Sequence, residues 1–305
     1  MPGKIVVSID FELRWGVHDI YGLDIDGYRA NLENCRFAVN QTLEMFKTRN
    51  IRATWATVGA IGLDNWNDYF NTVKSQPKYK RKKFFISEKY ADIDPKGELH
   101  FAPDLVRKII ETSGQELASH TFSHVYCREE GFMLSDFVND SECFSKIFNS
   151  KFHIIPKSIV FPRNQTKFIE HLKNINIEIY RGKKEYLFES KIGEKFQNIL
   201  EVLLPMKIPS SKVSGSLTRG DLFVRFDLPI HLWKLQLRKL KYCLEHLGKD
   251  GICHIWWHPH NVGPNLTLGL ARFEELFDLI AEEIYSNRIV SANMLDLVDT
   301  NFRLE

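Results

Sequence analysis

The sequence predicts an α/β fold in which a parallel sheet closes into a barrel. Two observations predict it. Seven short apolar segments alternate with seven helical ones along the 305 residues, the pattern of consecutive strand–helix pairs. Three of the apolar segments end in carboxylates or histidines, and the carboxyl ends of the strands are where such barrels keep their chemistry.

The order opens with Ile5–Ile9, rich in β-branched residues and read as a buried strand. A helix over Asn31–Thr48 and a strand over Arg52–Thr57 follow. A charged, irregular stretch from 65 to 101 leads to a helix over Pro103–Thr112. Its Pro103 start and Gly114 stop fit the asymmetry of helix ends. Next come a strand at Glu116–Ala118, a helix at Ser135–Phe148, a strand at Ser158–Phe161, a helix at Thr166–Asn174 and a strand at Glu178–Tyr180. A second irregular stretch, 183–228, holds Pro205, Pro209 and a Ser/Gly-rich run. Beyond it lie a helix at His231–His246, a strand at Ile252–Trp257 and a helix at Leu268–Ser286. Phe273, Leu276, Phe277 and Ile280 give that last helix one apolar face. A strand at Ile289–Ser291 and a helix at Leu295–Thr300 end the order. Both irregular stretches read as long loops at a barrel mouth, where loops carry specificity. Neither resembles a linker, so residues 1–305 read as a single domain.

Composition narrows the function. Hydrophobic content of 44% and charged content of 26% are ordinary for a soluble protein. With 41 basic against 39 acidic side chains, net charge +2, there is no case for nucleic acid as a partner. The one basic run, Lys78-Tyr-Lys-Arg-Lys-Lys83, reads as a solvated loop, with a phosphate contact as the alternative. Five scattered cysteines without a CxxC pair argue against a disulfide framework and for a reducing compartment. No signal peptide precedes the first strand and no apolar run is long enough to span a bilayer, so a cytoplasmic protein is expected.

Three strand ends carry the chemistry. In Ile5-Val-Val-Ser-Ile-Asp-Phe-Glu12, Asp10 and Glu12 are two apart and point to one side. Two such carboxylates need a cation or a proton between them unless both reach solvent. In Ser119-His-Thr-Phe-Ser-His124, His120 and His124 share one face if the backbone turns helically, and can then grip one metal ion. Taken alone, an HxxxH pair is a weak signal, more often a pair of surface or core histidines than a metal site. In Ile252-Cys-His-Ile-Trp-Trp-His-Pro-His-Asn261, an apolar strand runs into His258, His260 and Asn261. Two histidines, one carboxylate and an open position make a hydrolytic zinc arrangement.

In these segments the chain resembles the polysaccharide deacetylase superfamily, also called the chitooligosaccharide-deacetylase homology domain or carbohydrate esterase family four. Ser8-Ile-Asp-Phe-Glu12 is similar to its first motif, Ala53-Thr-Trp-Ala-Thr-Val-Gly59 to its second-strand segment, and Ser119–His124 to its histidine motif. Phe161-Pro-Arg-Asn164 stands at its arginine–proline motif and Trp256-Trp-His258 at its final histidine. The resemblance implies a distorted (β/α)7 barrel that hydrolyses N- or O-acyl groups, mostly acetyl, from sugars. It implies one divalent metal ion, often Zn2+, on Glu12, His120 and His124. It implies Asp10 as general base, His258 as general acid, and Arg163 as the cation that holds Asp10. This chain departs from the pattern in three places: its acids alternate around Phe11 instead of standing side by side and the second is a glutamate, Pro162 precedes Arg163, and no segment matches the family's aspartate–tryptophan motif, near which only Asp221 and Asp227 stand.

For the substrate, Trp15 and Trp256 are the expected platforms for a sugar ring, with Trp233, Trp257 and Tyr126 as other aromatic candidates. The run from Trp256 to Asn261 resembles a branch tied to lipopolysaccharide and O-antigen synthesis, which implies an acylated sugar that is nucleotide- or lipid-linked. Two alternatives stand beside a deacetylase: a deformylase or cyclic-amide hydrolase of the same fold, and a catalytically silent carbohydrate-binding barrel.

Overall fold

The structure is a computed structural model and describes residues 2–182, 217–219 and 222–298. Most of the expected 183–228 loop and the end of the last expected helix lie outside the described residues. The strands are β1 Gly3–Phe11, β2 Ala53–Thr57, β3 Gln115–Ser119, β4 Ser158–Val160, β5 Ile179–Gly182, β6 Leu217–Arg219, β7 Leu222–Phe223, β8 Ile252–Trp257 and β9 Ile289–Ala292. The helices are α1 His18–Tyr21, α2 Arg29–Arg49, α3 Trp66–Thr72, α4 Lys89–Ile93, α5 Pro103–Glu111, α6 Leu134–Phe152, α7 Ile230–Glu245 and α8 Leu266–Tyr285.

Every strand pairing is parallel. The order across the sheet is β6-β5-β4-β3-β2-β1-β8-β7. The two ends of that order are nearly adjacent in sequence, Arg219 in β6 and Leu222 in β7. Three Cα steps reach at most ~11 Å, so the sheet must curl until its edges meet. β6 and β7 act as one interrupted strand between β5 and β8, which makes seven staves. β9 shares an edge of β1 with β2: it pairs with Gly3–Val6, while β2 pairs with Ser8–Phe11. The architecture is the distorted (β/α)7 barrel expected from the sequence.

Alternation along each strand sorts residues between two environments. Ile5, Val7, Ile9 and Phe11 of β1 pack outward with Trp55, Ile255 and Trp257 against α2 and α8. Val6 of β1 points inward and packs with Ala56, Val160, Ile179 and Ile252. Ser8 and Asp10 share its side of the strand, so the polar residues of β1 rise through the barrel interior toward the mouth. At the lower end, Glu116 accepts hydrogen bonds from Thr54 Oγ1 (2.6 Å), Ser158 Oγ and the Leu295 amide (3.1 Å). Burial raises its pKa, as expected for a carboxyl group surrounded by neutral donors.

Local differences from the sequence reading have local causes. The 65–101 stretch is not all irregular: α3 starts at an Asn65 cap that accepts from the Asp68 amide (3.0 Å), and α4 lies within it. The helix expected at Thr166–Asn174 is a 3-10 helix over Ile169–Ile175, bounded by Phe168 and Asn176 in left-handed conformation. The last expected helix is one 3-10 turn over Leu295–Leu297 among the described residues.

Candidate active site

Glu12 is the hub of the site. It follows β1, is 4% exposed, and has histidines on both of its oxygens. Oε2 lies 3.3 Å from His120 Nε2 and 3.1 Å from His124 Nε2. Oε1 lies 3.5 Å from His258 Nε2 and 3.8 Å from His260 Nε2. The side chain fits only because residue 16 is glycine: a Cβ there would sit 2.0 Å from the Glu12 carboxyl carbon. Burial by itself would raise the Glu12 pKa. The charge of His258 and hydrogen bonds from His120 and His124 outweigh burial and hold the carboxyl well below its usual range.

The HxxxH segment is not a helix. His120 directly follows β3, and Thr121 (φ 61°) and His124 (φ 53°) take left-handed conformations. The turn is held from α6, where the Asp140 carboxylate accepts from the amides of Phe122 (2.6 Å) and Ser123 (2.9 Å). Burial pushes Asp140 up to about 7. The two imidazoles still converge, by loop geometry in place of helical spacing. His120 Nδ1 donates to the Val160 carbonyl (2.8 Å), so Nε2, on the side of Glu12, is the atom that the neutral ring would offer to a metal. Glu12, His120 and His124 form a buried group that could hold a metal ion. Their 3.1 and 3.3 Å separations match the edges of a coordination sphere with bonds of about 2.0–2.1 Å.

Asp10 is 3% exposed, and Arg181, not Arg163, holds it. Arg181 Nη1 donates to Asp10 Oδ1 (2.8 Å) and Nη2 to Oδ2 (2.7 Å), a two-pronged bond across the barrel from β5. Arg181 also donates to Ser8 Oγ (2.9 Å), whose other neighbour is His254 Nε2 (2.8 Å). Burial would raise the Asp10 pKa, but the Arg181 guanidinium, together with His120 and His258, more than offsets it and the value falls below the ordinary one. The expectation for Arg163 is therefore corrected. Arg163 and Asn164 sit in left-handed backbone (φ 53° and 50°), which turns the Arg163 side chain toward Asp19. There it bonds the carboxylate and covers the Tyr126 ring at 4.8 Å. Asn164 does reach the Asp10 cluster, since its Oδ1 accepts from Arg181 at 3.3 Å.

His258 ends β8 and faces both acids, with Nε2 3.8 Å from Asp10 Oδ2 and 3.5 Å from Glu12 Oε1. Asn261 Oδ1 accepts from its Nδ1 (3.1 Å) and from its backbone amide (3.2 Å), which fixes the ring. Trp256 lies beside it, half-buried, with its ring 4.3 Å from the Arg181 guanidinium and 4.5 Å from Phe223. Trp15 is a second correction. It is fully buried, its Nε1 donates to the His100 carbonyl (2.8 Å), and it packs on Tyr69 and Trp66. A ring buried in the core offers no face to a sugar. Trp233 and Trp257 are buried as well.

Sequence reasoning missed Arg181, Asp140 and Gly16. Arg181 carried one faint signal, a charged residue directly after the apolar Ile179-Tyr180 of a strand. Its partner lies 171 positions away, so no local pattern could supply the pairing.

Neither a family model nor a curated protein sequence matches this chain. Solved structures do. A candidate polysaccharide deacetylase from Mycobacterium smegmatis aligns over 100% of this chain and 95% of its own, with TM-score 0.54 and 12% identity. The 4-alpha-glucanotransferase of Thermococcus litoralis aligns over 98% of this chain, with TM-score 0.57 and 11% identity, and this chain spans 40% of that one. A peptidoglycan N-acetylglucosamine deacetylase aligns over 98% of this chain at 11% identity, with TM-score 0.47. At such identities the likeness is one of fold: this chain has the barrel architecture found in a candidate polysaccharide deacetylase and in a glucanotransferase.

Proposed function

We propose that this protein is a metal-dependent hydrolase that removes an N-acyl group, acetyl first among them, from a sugar. The observation that carries the reading is the convergence of His120 and His124 on one oxygen of Glu12, beside an Asp10 held by Arg181 and a His258 that faces both acids. The geometry supports a division of labour between the two carboxylates. Glu12 presents an oxygen to two imidazole Nε2 atoms and suits the ligand role, whereas both Asp10 oxygens are engaged by Arg181, with His258 Nε2 3.8 Å from one of them.

A divalent cation on Glu12, His120 and His124, with Zn2+ the best match to this donor set, would polarise an acyl carbonyl and bring the pKa of a water toward about 7. Asp10 accepts the proton of the attacking water through the lone pairs Arg181 leaves open. Arg181 keeps Asp10 ionised for that step. His258 donates a proton from Nε2 to the leaving nitrogen, and Asn261 on Nδ1 steadies the cationic ring. Trp256 and Phe223 form an aromatic wall next to His258, suited to the apolar face of a sugar ring.

Glycosyl transfer, the reaction in the name of the glucanotransferase with this fold, fits the site less well. That chemistry uses a carboxylic acid with a raised pKa, and here both carboxylates are held below their ordinary values. Precursors of surface polysaccharides, sugars joined to a nucleotide or to a lipid, are the substrate class to try first. Among the described residues no helix is long and apolar enough to cross a membrane. The test is release of acetate and free amine from a panel of UDP-linked, lipid-linked and unlinked N-acetyl sugars, using protein stripped of metal and then reloaded with Zn2+. Equimolar acetate and amine after reloading is expected. Sugar binding without acetate from any of them would point to a silent binding barrel, and formate from an N-formyl sugar to a deformylase.

A further inference from the structure

Glu12 has a second face that the proposed mechanism does not use. Oε2 meets His120 and His124, but Oε1 meets another pair, His258 and His260. Glu12, His258 and His260 form a second group whose donor atoms could hold a cation. The two halves are built alike. Each has one imidazole anchored through Nδ1: His120 on the Val160 carbonyl, His258 on Asn261 Oδ1. Each has one buried imidazole whose Nδ1 finds no hydrogen-bond partner among the described residues: His124 and His260. The His258 and His260 rings stack 5.0 Å apart at 8°, and both present Nε2 to Glu12 Oε1. His260 is 3% exposed, and its backbone is fixed by Asn31, which donates to its carbonyl at 3.2 Å. Packing alone would not require its Nε2 to face a carboxylate.

We propose that Glu12 Oε1, His258 Nε2 and His260 Nε2 form a second, weaker position for a divalent cation, and that a cation there silences the enzyme. The silencing clause rests on the function proposed above; the binding clause does not. Two observations make the second position the weaker. Its donors stand at 3.5 and 3.8 Å from the shared carboxylate, against 3.1 and 3.3 Å on the other side, so the rings must move inward to ligate. With His258 neutral, as a ligand must be, the charges of Asp10, Glu12 and Arg181 sum to one negative. One dication already overturns that sign, and a second enters against repulsion. Silencing follows from the donor atom: the lone pair of His258 Nε2 that a cation takes is the one that must carry the proton to the leaving nitrogen. Activity should therefore rise and then fall as zinc is added.

The test is a zinc titration of stripped protein at buffered free zinc, with bound metal counted by mass spectrometry and hydrolysis read alongside. Wild type should bind two zinc ions per chain, one at least tenfold tighter. His260→Phe should keep the tight ion, lose the weak one, and raise the zinc concentration needed for inhibition tenfold or more. His120→Ala should lose the tight ion and keep the other. One ion in wild type that His120→Ala abolishes would overturn the second position and leave the proposed function standing. A weak ion that persists in His260→Phe, or two ions with no inhibition, would also overturn it. Binding of no zinc would sink both readings. If His260→Phe does not fold, anomalous scattering from wild-type crystals at low and high zinc decides. A second peak beside Oε1 only at high zinc supports the inference; a single peak beside Oε2 at both concentrations contradicts it.

Discussion

Replacing Arg181 with methionine should cost about 3–5 kcal/mol of folding stability at neutral pH, the usual consequence of leaving one partner of a buried ion pair uncompensated. Both partners are nearly inaccessible, with side chains 1% and 4% exposed. The pH dependence of the loss identifies its cause. In the wild type the folded-state pKa of Asp10 is depressed. Asp10 therefore contributes stability above its unfolded value, about 3.9, and that contribution is lost as pH falls through the folded value. Without Arg181, burial is opposed only by histidines and the folded pKa rises. The buried carboxylate then costs stability at every pH above its ordinary range. The gap between wild type and Arg181→Met should be widest at neutral pH and should narrow below about pH 4. Urea unfolding at both pH values measures it. A gap of equal size at both would mean that Arg181 acts through packing on Trp256. In turnover, the acid limb of kcat/KM should move up by roughly 1–3 pH units, and Arg181→Lys should restore part of it.

The second large effect belongs to His258. Turnover of an N-acetyl sugar by His258→Ala should fall by roughly 10²–10⁴, the usual worth of a general acid. The same variant should hydrolyse an activated phenyl acetate at close to the wild-type rate, because a phenolate leaves without a proton. The ring is well placed for this selectivity: it is 21% exposed, faces both acids, and is fixed by Asn261. Equal losses on the two substrates would assign His258 to binding or structure. The His260→Ala variant, measured on the same pair, separates the two stacked rings, and selectivity that followed His260 would move the acid role to it.

The fold was legible because each strand carries its own signal. Ile5–Ile9 and Ile252–Trp257 are apolar runs bounded by turns, and the amphipathic face of Phe273, Leu276, Phe277 and Ile280 is buried as its spacing requires. The strand-end residues Asp10, Glu12, His120, His124 and His258 also come together, since parallel strands deliver all their carboxyl ends to one mouth. The residues that hold them were not legible. Arg181 reaches Asp10 only because the sheet curls, and curvature leaves no mark within a strand. Arg163 misled because a motif gives position in the chain but not backbone handedness, and its left-handed φ turns it to Asp19. Trp15 misled because proximity in sequence to the first acidic strand says nothing about which way the chain turns. The following 3-10 turn carries it into the aromatic core with Tyr69 and Trp66.

In the proposed mechanism Glu12 holds the metal while Asp10 works on water. Metal content and turnover, measured together on Glu12→Gln and Asp10→Asn, test it most directly. Asp10→Asn should keep its divalent metal and lose turnover by roughly 10²-fold or more. Glu12→Gln should lose the metal and, with it, activity. Loss of metal from Asp10→Asn with full occupancy in Glu12→Gln would contradict the account and exchange the two roles.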